Sequence, residues 1–78
     1  MSEQRLVYMA NQIATYFRSA PKEEAVASTL DHVQKFWEPR MRRQMLEHLS
    51  THDGAGLNDI ALAAIRELAA LTTTPSRP

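Results

Sequence analysis

The sequence predicts an all-α fold, a small bundle of four short helices, on three observations. Apolar residues recur at spacings of three and four, which places them on one face of a helix. Prolines and glycines divide this pattern into four segments. No stretch shows the period of two that a half-buried strand requires. We expect helices over about 3–19, 22–37, 39–50 and 58–71 in a single helical domain, 1–78, with 72–78 as a disordered, flexible tail.

The first two segments are separated by Pro21, which ends the first helix or opens the second because it cannot donate a backbone hydrogen bond. Ser19 or Ala20 then stands at the cap position. Each segment carries one apolar stripe, expected to face the core. The first stripe consists of Leu6, Met9, Ala10, Ile13 and Phe17, and the second of Val26, Thr29, Leu30, Val33, Phe36 and Trp37.

The last two segments begin at recognisable start signals. Pro39 suits the first turn of a helix, and Asn58 suits an N-cap, with Leu57 and Leu62 spaced as a hydrophobic staple around it. The third stripe consists of Met41, Met45, Leu46 and Leu49, and the fourth of Ile60, Ala61, Ala64, Ile65, Leu68 and Leu71.

The composition argues against several classes of protein. The chain has no cysteine, which removes disulfides and thiolate metal sites. Nine basic and nine acidic residues give zero net charge, so the positive surplus of a nucleic-acid binder is missing. We see neither a signal peptide nor an apolar stretch of about 20 residues that could span a bilayer. A soluble, cytoplasmic protein that makes no membrane contact is expected.

Catalytic and metal-binding patterns are weak. His48 and His52 are four residues apart, a spacing that would place both rings on one helix face, but the HExxH order is absent. We therefore interpret them as surface histidines at a helix C-terminus, with a metal as the less favoured alternative. Asp31 and His32 are adjacent, and neighbours on a helix do not face each other. No phosphate-binding glycine loop is present, so no catalytic or cofactor-binding residue is predicted.

Residues 36–43 concentrate the side-chain types that protein interfaces favour: aromatic rings, methionine and arginine. Phe36 is expected in the core, while Trp37 suits the core and an interface equally. The alternative function is a regulatory module that binds DNA or another protein through the helix carrying Arg40, Arg42 and Arg43.

Three stretches resemble the delta subunit of the NAD-dependent, molybdenum-containing formate dehydrogenases. They are LVYMANQIA at 6–14 with Phe17 following, DHVQKFWEPRMR at 31–42, and the Leu57–Asn58 start of an apolar last helix. The middle stretch is the most specific. The chain has Asn58–Asp59 and Glu38–Pro39 where this family often has Asp-Pro. Together the three stretches extend over most of residues 5–71.

The resemblance implies a non-catalytic accessory subunit. In such enzymes the large subunit holds the molybdenum cofactor and iron–sulfur clusters, and other subunits hold FMN and bind NAD. The chain would bind the large subunit and support its assembly, stability or activity, holding no cofactor itself. In isolation a monomer–dimer equilibrium or a homodimer is expected. We expect the following residues to form the interface or the fold that supports it: Asn11, Phe36, Trp37, Pro39, Arg40, Met41 and Arg42.

Overall fold

The computed structural model describes residues 2–72, which form four α-helices and no strand. The prediction of an all-α bundle is confirmed. The helices are α1 (Glu3–Tyr16), α2 (Lys22–Phe36), α3 (Pro39–His52) and α4 (Asp59–Thr72). Thr72, predicted as the first residue of the tail, is the last residue of α4. The rest of the predicted tail, 73–78, lies outside the described residues.

Side-chain caps fix the starts of α1 and α4. The Ser2 hydroxyl oxygen accepts from the backbone N–H of Arg5 at 3.1 Å. Asn58 Oδ1 accepts from the N–H of Ala61 at 2.8 Å, which confirms Asn58 as the N-cap of α4. Each cap satisfies one of the backbone donors that a helix start leaves without an intrahelical partner.

Prolines mark the starts of the two middle helices. Pro39 is the first residue of α3, as predicted. Pro21 itself takes the cap position of α2 and provides no side-chain hydrogen bond, so the expected cap at Ser19 or Ala20 is wrong. Its missing N–H costs nothing at a position where that donor would have no intrahelical partner.

The ends of α1 and α3 differ from the predicted ends. α1 stops at Tyr16, and the chain then turns through i→i+3 hydrogen bonds, including Ala20 N–H to the Phe17 carbonyl at 3.0 Å. α3 continues to His52 and is terminated by Asp53 in the left-handed conformation, with φ 56° and ψ 27°.

The core is built around the pairing of α2 with α4, the most extensive contact between two helices. Five fully buried alanines, at 10, 14, 25, 61 and 64, let the helices approach closely. The Thr29 hydroxyl is buried as well and donates to the Ala25 carbonyl at 2.8 Å. The larger buried apolar side chains are Leu6, Leu30, Val33, Trp37, Met45, Ile60, Ile65 and Leu68.

The predicted apolar stripe and the real core face of α1 differ. Leu6 and Ala10 are buried as predicted, and Ala14 completes the core face. Met9, Ile13 and Phe17 are only half-buried and lie at the edge of the core. α1 is therefore rotated so that one side of its stripe remains accessible. None of the helices in the described range is long and apolar enough to cross a membrane.

Candidate functional site

Phe36 and Trp37, neighbours at the end of α2, have opposite environments. Trp37 lies four residues after the buried Val33, donates its N–H to the Val33 carbonyl at 3.1 Å and is only 4% exposed. Phe36 is 70% exposed, so the expectation that it lies in the core is wrong. The helix ends between the two residues, which leaves Phe36 on the outer edge of the bundle. Trp37 stabilises the fold, and Phe36 is a surface residue.

Arg42 turns back toward the end of α2. Its Nη1 donates to the Gln34 carbonyl at 3.3 Å and also to the Trp37 carbonyl. Carbonyls in the last turn of a helix have no intrahelical donor, and a basic side chain there also matches the helix dipole. Arg42 therefore ties α3 to the C-terminus of α2.

Asn11 has a similar structural contact on the other side of the bundle. Its Nδ2 donates to the Gly56 carbonyl at 2.9 Å, and its Oδ1 accepts from the Asn58 N–H at 2.8 Å. The side chain thus fixes the loop that leads into α4. Both of its amide atoms are engaged within the chain.

The remaining predicted residues lie at the surface. Pro39 and Arg40 are exposed at the start of α3, and Met41 is half-buried. Arg40 also borders a shallow depression on α3. Arg42 does not line this depression, because its guanidinium group points toward α2. The complete lining of the depression is Arg40, Arg43, Gln44, Leu46 and Glu47.

A second surface joins Phe36 to the accessible edge of α1, and we call it the α1–α2 groove. Gln12, Ile13 and His32 form its middle. One end is formed by Tyr16, which is 81% exposed, with half-buried Phe17 beside it. The other end is lined by Met9, Phe36, Trp37 and Met41.

Ring contacts orient the aromatic side chains of the α1–α2 groove. The Phe36 and His32 rings are 4.7 Å apart at 40°, and the Tyr16 and Phe17 rings meet edge to face at 5.0 Å. A partner would thus meet apolar surfaces that already have a defined orientation. The groove includes Met9 and Ile13, which are half-buried, and Tyr16, which lies off the predicted stripe of α1 and is exposed. The first two were assigned to the core stripe, and the helical period alone does not reveal how α1 is rotated.

The two histidines of α3 lie in different environments. His48 is 8% exposed, which contradicts its interpretation as a surface residue. Its Nδ1 lies 3.1 Å from Oε2 of Glu3, and its Nε2 lies 2.9 Å from the Ala55 carbonyl. His52 is exposed, and its ring stacks on that of His48 at 5.4 Å. The fold therefore adds the Glu3 carboxylate, 45 positions away in the chain, to the histidine pair.

The family model for the NADH-dependent formate dehydrogenase delta subunit FdsD matches residues 5–65. That range takes in α1, α2, α3 and the first half of α4, and with them the α1–α2 groove. No curated protein and no solved structure matches the chain. Because the family model covers well over half of the sequence, the chain belongs to the family of delta subunits of NADH-dependent formate dehydrogenase.

Proposed function

We propose that this chain is a non-catalytic accessory subunit that binds the large, molybdenum-containing subunit of formate dehydrogenase and supports its assembly, stability or activity. Family membership supports a role within the formate dehydrogenase complex. The large subunit as direct partner follows from the sequence resemblance. We further propose that the complex works in the cytoplasm, and that the molybdenum cofactor, iron–sulfur clusters, FMN and NAD are all held by other subunits.

The observation that carries the proposal is the exposed aromatic surface of the α1–α2 groove. Phe36 and Tyr16 are far more exposed than aromatic side chains in a small core should be, and both stand beside half-buried apolar groups. Aromatic and methionine side chains are enriched in the centres of protein interfaces, where their burial contributes most of the binding energy. We therefore propose the α1–α2 groove as the docking surface.

The polar residues around the α1–α2 groove suit the rim of such an interface. Gln12 Nε2 donates to the hydroxyl oxygen of Tyr8 at 3.0 Å, and Tyr8 is exposed next to the groove. Arg40 is exposed on the neighbouring turn of α3, one residue before Met41 in the groove. Rim groups of this kind fix orientation and exclude water from the apolar centre.

The test compares truncations inside and outside the α1–α2 groove. Phe36→Ala combined with Tyr16→Ala removes two exposed rings without touching buried side chains. Leu71→Ala is the matched control, since Leu71 is also a large exposed apolar residue, 53% accessible, and does not line the groove. Affinity for the purified large subunit is measured by calorimetry, and helicity by circular dichroism.

We expect the double variant to bind at least about tenfold more weakly, a loss of about 1.4 kcal/mol or more, with helicity unchanged. Leu71→Ala should bind like the wild type. Equal binding by the double variant and the control would exclude the α1–α2 groove as the docking surface. Failure of the wild-type chain to bind the large subunit at all would overturn the accessory-subunit proposal itself.

The same apolar surface accounts for the homodimer expected in isolation. Without its partner, the α1–α2 groove can be covered by a second copy of the chain. Light scattering at several concentrations should then show self-association in the wild type. Addition of the large subunit should dissociate this homodimer, because both contacts use the same side chains.

A further inference from the structure

The contact between Glu3 and His48 requires a positive charge between two acceptor atoms. A backbone carbonyl can only accept a hydrogen bond, so the Ala55 carbonyl holds the His48 proton on Nε2 at 2.9 Å. Nδ1 of a neutral ring then points its lone pair at the Glu3 carboxylate oxygen, 3.1 Å away. Two acceptors at that separation repel each other unless a proton or a metal cation lies between them.

His52 brings a third possible metal-ligand atom close to the contact between Glu3 and His48. Three ligand atoms, one from each of Glu3, His48 and His52, lie within 4.8 Å of one another. A proton bridges only two atoms, whereas three converging donors match the number of protein ligands at an open zinc site. The i, i+4 spacing on α3 and the start of α1 bring these ligands together at one end of the bundle.

The donor set indicates the class of cation. Two imidazole nitrogens and one carboxylate form a ligand set that binds Zn²⁺ and related divalent transition metals. Tetrahedral ligands at zinc distances are roughly 3.4 Å apart, so the 3.1 Å pair already fits. The wider separation to His52 closes by rotation of that side chain, which is 59% exposed.

Neighbouring groups hold the His48 ring in the way that a metal-binding histidine requires. Such histidines usually donate their second N–H to a carbonyl or a similar acceptor, which fixes the tautomer. His48 does so to Ala55. The Thr51 hydroxyl donates to the Glu47 carbonyl at 2.8 Å and lies 2.8 Å from Nδ1 of His52. The same Nδ1 lies 3.9 Å from Oε2 of Glu3, so His52 coordinates through Nδ1 once its contact with Thr51 is released.

We infer that Glu3, His48 and His52 form a binding site for a divalent transition-metal cation of the zinc class. The cation joins the N-terminus of α1 to the C-terminus of α3. A fourth coordination position stays open for water. Because the metal binds the folded chain alone, it stabilises the bundle by an amount that grows with the logarithm of its concentration above the dissociation constant. The site is independent of the α1–α2 groove and of the partner proposed for it.

The experiment titrates Zn²⁺ into the full chain, free of tag and metal, by calorimetry, and follows the histidine nitrogens by NMR. The cluster variants are Glu3→Gln and His52→Gln, both of residues that are not fully buried. His32→Gln is the matched control, because His32 is the one histidine of the sequence outside the cluster. Circular dichroism checks that every variant keeps its helicity.

We expect one Zn²⁺ per chain, with a dissociation constant at least about tenfold higher in each cluster variant and unchanged in the control. Zinc at 100 times the dissociation constant should raise the melting temperature by about 10 °C or more. The His48 Nδ1 resonance should shift on zinc addition while Nε2 keeps its proton. Absence of saturable binding, or equal binding by the cluster variants and the wild type, would overturn the site and leave a proton between Glu3 and His48.

Discussion

Asn11 and Asn58 lie 47 positions apart in the chain and are joined by two hydrogen bonds. The Asn58 N–H donates to Asn11 Oδ1 at 2.8 Å, and Asn58 Nδ2 donates to the Asn11 carbonyl at 3.4 Å. Since Asn58 also caps α4, this pair fixes where α4 begins relative to the middle of α1. Asn11 extends the link to Gly56, so one side chain orders the end of the α3–α4 loop.

Replacing Asn11 by alanine should destabilise the fold. The substitution removes the partner of the part-buried Asn58 N–H and of the exposed Gly56 carbonyl. A hydrogen bond of the first kind contributes about 1 kcal/mol and an exposed one less, so we expect a loss of about 1 kcal/mol or slightly more in the free energy of unfolding, measured by urea denaturation. Asn11→Asp retains the acceptor for Asn58 and should lose less.

Thr15→Ala, at an exposed position one turn later on α1, is the matched control for Asn11→Ala and should change stability little. If Asn11→Ala unfolds like the wild type and yet binds the large subunit more weakly, Asn11 belongs to the interface and not to the supporting fold.

Alanine substitutions of Arg40 and Arg42 should distinguish a surface residue of the predicted interface from a residue that stabilises the fold. Arg42→Ala leaves two carbonyls at the end of α2 without their donor, so we expect a loss of about 1–2 kcal/mol in stability. Arg40→Ala changes an exposed side chain and should alter stability by less than about 0.5 kcal/mol. Both are measured by urea denaturation at pH 7. Equal stability of the two variants would show that the Arg42 contacts contribute nothing.

Local signals in the sequence were sufficient to predict the helices. The apolar periodicity located all four, and the start signals at Pro39 and Asn58 were correct because a cap depends on neighbouring residues only. The predicted ends of the helices were less accurate than the predicted starts. The chain leaves α3 through Asp53 in the left-handed conformation, a position that glycine usually occupies and for which aspartate gives only a weak signal.

The candidate site was predictable only in part, because it depends on how the helices pack. Phe36 belongs to the apolar stripe of α2 by spacing and is nevertheless exposed, since α2 ends beside it. The contact between Glu3 and His48 links residues that no local pattern connects. The rotation of α1 that leaves Ile13 at the groove is equally a property of the assembled bundle.

Asp53→Gly should stabilise the protein. Asp53 adopts φ 56°, a conformation that costs a residue with a Cβ about 1 kcal/mol and costs glycine little. Its carboxylate also lies at the C-terminus of α3, where the helix dipole disfavours negative charge. Glycine loses more chain entropy on folding, which offsets part of this effect. We therefore expect a net gain of about 0.5–1 kcal/mol in the free energy of unfolding, measured from the midpoint of urea denaturation.

Asp53→Asn provides the control for the glycine substitution. It removes the charge and keeps the Cβ, so it should gain only part of the effect. A destabilised Asp53→Gly variant would mean that the aspartate side chain contributes an interaction that outweighs the backbone strain.

Asp59, the first residue of α4, should titrate below its usual pKa. The backbone N–H of Ile60 is the main cause of this lowered pKa; desolvation opposes it, and Arg18 and Lys22 lower the pKa further. Arg18 Nη2 lies 3.3 Å from Oδ1, and Lys22 Nζ lies 3.7 Å from Oδ2. The ion pairs join Arg18 in the loop after α1, and Lys22 at the start of α2, to the start of α4.

The lowered pKa of Asp59 makes this contact dependent on pH. The folded state binds the carboxyl proton less tightly than the unfolded chain, whose value is near 3.8. The contribution to stability is therefore complete above that value and is lost as the pH falls through the lower pKa of the folded state. Asp59→Asn should lower the urea midpoint at pH 7, and the difference from the wild type should shrink in strongly acidic solution.

Carboxyl-carbon NMR measures the pKa of Asp59 directly. Arg18→Ala should move this pKa part of the way back toward 3.8, because the hydrogen bond from Ile60 remains. Added salt should act in the same direction by screening the exposed charges of Arg18 and Lys22. A pKa of 3.8 or above in the wild type would contradict the stabilising arrangement at the start of α4.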